Sequence, residues 1–128
     1  MSYKILEHTA DLLIQAENES FERTLEDMAK GMFENMGKAE EKESFELSKS
    51  APDKESLVVG ILSDIIGECE ARTFTPARMK VLEYKENSVK VQVFGKKKIP
   101  ENIIKAVTYH MLEVKKNEKW KIKVLFDI

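Results

Sequence analysis

The sequence predicts a single α+β domain in which two main helices pack on a mostly antiparallel β-sheet, with a β-hairpin at the C-terminus. Two segments carry apolar residues at helical spacing. Most other segments show the alternation of apolar and polar residues that is typical of strands. The chain has 128 residues, 42% of them hydrophobic, so it suits one domain covering 1–128 with a real core.

The N-terminal third predicts two short strands and then a helix. The strands cover Tyr3–Leu6 and Leu12–Ala16, and the polar residues 7–11 form the turn between them. The helix has Ser20 as its expected N-cap and Gly37 as its expected end. We interpret its apolar stripe as a core face that packs against a sheet; the alternative is a groove for a partner protein. The stripe consists of Phe21, Leu25, Met28, Ala29, Met32, Phe33 and Met36.

A second helix is predicted after a short strand around Phe45 and Leu47. Pro52 is expected to open this helix, because the first helical position does not need an N–H. We interpret Cys69, the one cysteine, as a small core residue; a catalytic thiol is the alternative, but no base or oxyanion motif accompanies it. The apolar residues cover a wide face, so we expect this helix to be the more buried one: Leu57, Val58, Ile61, Leu62, Ile65, Ile66 and Cys69.

The C-terminal half predicts two hairpins. In the first, Met79–Tyr84 and Val89–Val93 alternate on either side of a turn at Glu86–Asn87. The second closes the chain with strands at Ile104–Val114 and Lys119–Asp127. A helix is the alternative for the first strand of this second hairpin, because its apolar residues also fit helical spacing.

The last strand ends in two adjacent carboxylates, the side chain of Asp127 and the terminal carboxylate of Ile128. Alternation places Asp127 on the polar face, opposite the core face of the strand: Trp120, Ile122, Val124 and Phe126. Clustered oxygens are the ligands of calcium- or magnesium-class ions, so this chain end supplies half of such a site. Asp11, in the polar turn, is the candidate for a third carboxylate; its alternative role is to cap a local turn.

Charge and hydropathy exclude some classes of function. The net charge of −2 argues against broad, nonspecific nucleic-acid binding, although a local patch could still bind a phosphate. The N-terminal residues do not resemble a secretion signal, and no segment is long and apolar enough to cross a membrane. We therefore expect a soluble, cytoplasmic protein with no membrane partner.

Three motifs, in the same order along the chain, resemble the archease family. The segment 7–11 (EHTAD) resembles the opening signature of that family. The segment 104–110 (IKAVTYH) resembles its most distinctive stretch, and the chain ends in FDI at 126–128, as archeases typically do. Three ordered motifs are far more specific than any one of them, and the resemblance extends over nearly the whole chain.

The resemblance implies an accessory protein, not an enzyme. Archeases assist RNA-splicing ligases of the RtcB type, which join RNA ends in tRNA splicing and repair with GTP and a divalent metal. The archease promotes guanylylation of a ligase histidine and repeated turnover, and it contacts the ligase transiently. RNA and GTP would then concern this chain only indirectly, through the ligase. The alternative is a chaperone for RNA-modifying enzymes such as a tRNA cytosine methyltransferase. A metal-dependent hydrolase is disfavoured, because the sequence shows no nucleophile–base arrangement and no glycine-rich phosphate motif.

The resemblance also implies roles for individual residues. Asp11 and Asp127 match the two metal-linked aspartates of the family, and Ile128 supplies the terminal carboxylate. Residues matching the signature stretches are expected to contact the partner or support the metal site: His8, Lys105, Tyr109 and His110. The chain departs from the family in the loop 95–100, which is short and lacks the usual histidine, so a ligand from that loop is in doubt. It also lacks the common glycine near 16–19 and the common tryptophan near 60–62.

Overall fold

Two helices and seven strands make up the fold in the residues that the structure describes. The structure is a computed structural model that describes residues 3–8 and 11–128, without the side chains of Glu7 and His8. In chain order the elements are β1 Tyr3–His8, β2 Asp11–Asn18, α1 Phe21–Met36, β3 Glu43–Ser50, α2 Lys54–Arg72, β4 Thr75–Lys85, β5 Ser88–Lys96, β6 Ala106–Lys116 and β7 Trp120–Asp127.

The strands are divided between two antiparallel sheets. One sheet has four strands in the order β1-β2-β7-β6, and the other has three in the order β3-β5-β4. The predicted α+β class and the C-terminal hairpin are therefore confirmed. The helical alternative for β6 is wrong, because this segment pairs with β7 as a strand.

The ends of α1 are formed by the residues that the sequence predicts. The Ser20 side chain accepts a hydrogen bond of 3.1 Å from the N–H of Arg23. At the other end, Gly37 has a φ of +142°, and its N–H donates to the carbonyl of Phe33 at 3.1 Å. A glycine suits this position because the left-handed region strains other residues.

The prediction for the start of α2 is wrong. The helix begins at Lys54, and its N-cap is Asp53, whose carboxylate accepts a 2.7 Å hydrogen bond from the N–H of Ser56. Pro52 therefore lies before the cap. A carboxylate can satisfy an unpaired helix N–H and also favours the positive end of the helix dipole, which makes Asp53 the stronger start signal.

The prediction that α2 is the more buried helix is also wrong. Ten residues of α1 are buried, against seven of α2. Both helices contact both sheets, but α1 packs mainly on β1, β2, β7 and β4 and is covered more extensively than α2, which packs mainly on β6, β3 and β5. Cys69 is nevertheless 1% exposed, which confirms its interpretation as a core residue. Within the described ranges, neither helix is long and apolar enough to span a membrane.

The segment between β5 and β6 carries the chain from one sheet to the other. Just before this segment, within β5, an added Cβ at Gly95 would lie 2.2 Å from the carbonyl oxygen of Thr75. The Thr75 hydroxyl donates to the Lys98 carbonyl at 2.9 Å, and Ile104 is buried. This segment therefore delivers β6 in a defined position beside the end of β7.

Candidate metal centre at the chain end

Asp11 and Asp127 lie directly opposite each other in the four-stranded sheet. Asp11 is the first residue of β2, Asp127 is the last residue of β7, and the two are Cα partners in the antiparallel ladder. Partners of this kind have Cβ atoms about 4.5–5.5 Å apart on the same face of a sheet. Asp11 is half-buried and Asp127 is exposed. The two carboxylates proposed from the sequence are thus neighbours in the structure, although Asp11 and Asp127 are 116 residues apart in the sequence.

Buried pairs beside the aspartates set this register. Leu12 opposes Phe126, Ile14 opposes Val124, and Ala16 opposes Ile122, and all six side chains are in the core. A slip of one residue would turn one of these apolar sets toward solvent, because side chains alternate with period two. The hydrophobic core therefore holds Asp11 opposite Asp127.

The third strand of the site, β6, holds Asp127 from the other side. Ala106 is the Cα partner of Asp127, and the Lys105 N–H donates to the Asp127 carbonyl at 2.7 Å. The side chain of Lys105 is exposed, and Ile128 is half-buried. The backbone at Asp127 is therefore fixed, while the Asp127 side chain remains exposed.

The donor chemistry of this place fits a hard divalent cation. Like charges directly opposite each other destabilise a sheet, and a cation between them removes that cost. In the described part of the chain, no three His, Cys, Asp or Glu side chains form a metal-binding group. Two side-chain carboxylates would need the terminal carboxylate, backbone oxygen or water to complete the shell, as calcium and magnesium accept.

A bulge displaces the signature stretch from the edge of the sheet. Thr108 opposes Leu125 and Glu113 opposes Lys123, so four residues of β6, 109–112, face the single residue between 123 and 125 on β7. Met111 takes a φ of +59°, a left-handed conformation that costs a residue with a side chain about 1–2 kcal/mol. Tyr109 is 60% exposed. Bulges of this kind re-aim side chains and are frequent beside functional sites. The sequence pattern predicts an uninterrupted strand here, so the bulge is a feature that only the structure reveals.

The two histidines lie on opposite edges of the sheet. His8 ends β1, where it pairs with Leu12, and its side chain lies outside the described residues, as do Thr9 and Ala10 of the predicted turn. His110 is exposed on the bulge of β6. Three inter-strand steps separate the two edge strands, which is roughly 14 Å. Their backbones are therefore not neighbours, and His8 is the histidine on the side of Asp11.

Comparison with known proteins identifies the family. The model of the Archease protein family (MTH1598/TM1083) matches residues 3–128. The chain belongs to the archease family. It is 36% identical over 140 residues to a protein archease of Methanosarcina mazei, an alignment that covers 98% of this chain and 95% of the relative. It is also 31% identical over 137 residues to a protein archease of Danio rerio, with 98% and 85% covered.

Solved archease-like structures share the fold. A crystal structure of an archease from Thermotoga maritima, described as a possible chaperone, has a TM-score of 0.69 and 27% identity, and covers 98% of this chain and 96% of that one. The solution structure of Methanobacterium thermoautotrophicum protein 1598 has a TM-score of 0.74 and covers 98% of both chains; at 24% identity it supports the fold alone. The resemblance inferred from the three sequence motifs is confirmed.

Proposed function

We propose that this archease-family protein activates an RNA-splicing ligase of the RtcB type in tRNA splicing and RNA repair. In this role it promotes guanylylation of the ligase histidine and repeated turnover, without catalysing a reaction itself, and it works in the cytoplasm. The observation that carries the proposal is the position of Asp11 opposite Asp127. An acidic pair at an accessible chain end is suited to holding a divalent ion where a partner protein can reach it.

The positions of the site residues support the roles proposed for them. Asp11, Asp127 and the terminal carboxylate of Ile128 would hold a calcium- or magnesium-class ion. When bound, such an ion neutralises charge on phosphate oxygens. The Lys105 N–H fixes the Asp127 backbone at 2.7 Å, while its exposed ammonium group can meet a phosphate or carboxylate of the partner.

Exposed apolar side chains beside the site support a protein partner. Ile103 is 75% exposed and Ile99 is 78% exposed; both line a cavity of about 350 Å³. Ile103 lies two residues before Lys105. Together with Tyr109 on the bulge, these residues offer exposed apolar contact area on the segments before and after Lys105. A modest area of this kind fits a transient complex better than a permanent one.

A ligation assay under multiple-turnover conditions tests the proposal. The purified ligase, GTP, magnesium and an excess of RNA are incubated with the wild-type chain or with Asp11→Ala. We expect the wild type to raise the number of turnovers and Asp11→Ala to lose that effect while remaining folded. The matched control is Asp64→Ala, which removes a carboxylate on α2 that pairs with Lys49 at 3.2 Å. Full stimulation by Asp11→Ala would refute the metal-dependent role.

The terminal carboxylate is tested by a separate change. A single glycine added after Ile128 moves that carboxylate by about 3.5 Å, the length of one residue. We expect the extended protein to stimulate the ligase poorly. The control is Ile128→Val, which keeps the carboxylate in place and alters the side chain by one methylene. Equal stimulation by the extended chain and the wild type would remove the terminal carboxylate from the proposed ligands.

A second candidate function is that of a chaperone for RNA-modifying enzymes such as a tRNA cytosine methyltransferase. Two exposed isoleucines, Ile99 and Ile103, favour it, because exposed apolar side chains can cover an aggregation-prone surface. Light scattering of the methyltransferase, with and without this protein, tests the idea. Protection that persists in Asp11→Ala and disappears in Ile99→Ser with Ile103→Ser would favour the chaperone role over the ligase role.

A further inference from the structure

A cluster of three lysines surrounds one carboxylate on the outer face of the four-stranded sheet, the face away from the helices. Lys115 and Lys121 place their Nζ atoms 3.0 and 3.1 Å from Oε1 of Glu113, and Lys123 Nζ lies 2.5 Å from Oε2. Lys123 and Lys121 come from β7, and the other two residues come from β6. We call these four residues the lysine cluster. No part of the proposed metal site uses it.

The lysine cluster has more hydrogen-bond donors than its own carboxylate can use. Three ammonium groups carry about nine N–H donors, whereas one carboxylate has about four acceptor positions. The cluster also carries a net charge of +2, three lysines against one glutamate. Hydrogen bonds from the surrounding lysines lower the pKa of Glu113 to about 2, and the bond from Lys123 has the largest effect. This lowering agrees with a strongly positive local potential. Donors and charge are therefore left over for an anion from outside.

The side chains adjacent to the lysine cluster do not cancel its charge, and the acidic pair Asp11 and Asp127 lies at the far end of the same face, roughly 13 Å along β7 from Lys123. Glu17 opposes Lys121 across the ladder, and it accepts a hydrogen bond of 3.1 Å from Gln15. Lys4 on β1 opposes Gln15 and is exposed. One further acid and one further base leave this region at +2, in a chain whose formal net charge is −2. The positive charge is thus concentrated on one part of one face.

The spacing of the lysine positions along β7 suits a polyphosphate chain, once the flexible side chains turn from Glu113 to an incoming anion. Lys121 and Lys123 are two residues apart on the same strand, so their Cα atoms are about 6.7 Å apart. This is of the order of the spacing between successive phosphates in an extended single strand. Tyr109 lies on the same strand as Glu113, at the start of the bulge, and is 60% exposed. Lysines that follow a backbone, with an aromatic ring on which a base can stack, are the combination by which proteins bind single-stranded nucleic acid.

We propose that the lysine cluster, together with Tyr109, binds the phosphate backbone of a single-stranded RNA segment. The binding itself follows from the cluster; only the identification of that RNA as a substrate of the partner ligase rests on the proposed function. Lys123 and Asp127 are four residues apart on β7, roughly 13 Å. One RNA end held on the ligase could therefore contact the lysine cluster while the acidic pair faces the ligase.

Fluorescence anisotropy of a labelled single-stranded oligoribonucleotide, titrated with this protein at several salt concentrations, tests the proposal. Three lysine–phosphate contacts predict a slope of log K against log salt of about −2, since each contact contributes about −0.7. We expect Lys121→Gln with Lys123→Gln to weaken binding at low salt at least tenfold and to reduce the slope. The control is Lys49→Gln with Lys90→Gln, which removes the same charge from the pairs with Asp64 and Glu46 on other surfaces.

A substitution of opposite sign separates binding from a purely structural role. Glu113→Gln raises the net charge of the cluster from +2 to +3, so we expect it to tighten RNA binding severalfold and to steepen the slope. A cluster that served only stability would give weaker or unchanged binding in this variant. If the double variant proves unstable, Lys115→Gln removes one cluster charge at a side chain that is 50% exposed, and it should lower the slope by about 0.7.

Three results would overturn the proposal: no binding by the wild type at low salt, equal loss in the control double variant, or weaker or unchanged binding by Glu113→Gln. Competition by a polyglutamate peptide as strong as that of RNA would also overturn it, in favour of an acidic protein surface. The proposed ligase role and the proposed RNA binding are refuted by different results. Loss of ligase stimulation in Asp11→Ala, combined with no RNA binding by the wild type, would leave the proposed function standing and remove this inference.

Discussion

Replacing Asp11 by Asn should stabilise the metal-free protein. Asp11 and Asp127 are Cα partners on the same face, so their carboxylates repel each other across the ladder. Two unit charges 5 Å apart in a water-like dielectric repel by about 0.8 kcal/mol, and salt reduces this toward roughly 0.5. Asn keeps the size of the side chain and removes the charge. For a chain of this length, such a gain corresponds to an increase in Tm of roughly 2–4 °C.

Calcium or magnesium should reverse the order of stability. A ligand present at 100 times its Kd stabilises the native state by about 2.7 kcal/mol, and we expect the wild type to gain on this scale. The variant lacks one of two side-chain ligands and should gain much less. The two proteins would then exchange order: the variant unfolds at the higher temperature in EDTA, and the wild type at the higher temperature in metal.

Thermal unfolding followed by circular dichroism, in EDTA and across a titration of each metal, measures both effects. Asp127→Asn should behave like Asp11→Asn, because either substitution removes the same repulsion. Asp64→Asn on α2 should respond to metal as the wild type does. An Asp11→Asn protein that is less stable than the wild type in EDTA would refute the repulsion argument. An equal metal response of both proteins would refute the assignment of Asp11 as a ligand.

Three further predictions concern the fold. Gly95→Ala should destabilise the protein strongly, because the new Cβ would meet backbone atoms that cannot move aside. Gly67→Ala should stabilise it by about 0.5–1 kcal/mol, because Gly67 lies in α2 and an added Cβ there has no neighbour within 4 Å. Denaturant unfolding of the two variants measures both effects. Burial raises the pKa of the Cys69 thiol to about 12, and the charge of a neighbouring glutamate makes a smaller contribution. A thiol reagent at neutral pH should therefore label the denatured protein and leave the native protein unlabelled. The lowered pKa of Glu113, about 2 against an ordinary value of 4.5, means that its ion pairs stabilise the fold above that ordinary value and lose this effect as the pH falls toward 2. The difference in Tm between wild type and Glu113→Gln should therefore shrink over that pH window, and a constant difference would contradict the assignment.

Local patterns in the sequence determined the elements and their faces. The helix stripe with Ser20 and Gly37 at its ends predicts α1, and the turn at Glu86–Asn87 predicts the hairpin of β4 and β5. The alternation in β7 placed Asp127 on the face opposite Phe126, as the structure has it. These features depend on residues close together in the chain, so periodicity and capping chemistry are sufficient to predict them.

Tertiary structure alone decided which segments meet. The division into two sheets, the greater burial of α1 and the convergence of three lysines on Glu113 all depend on contacts between distant segments. The bulge at 109–112 exists only in relation to β7, because a bulge is a mismatch between two strands. The family resemblance proposed Asp11 as the partner of Asp127, but only the packing of Leu12 against Phe126 and their neighbours sets a register that puts the two carboxylates face to face.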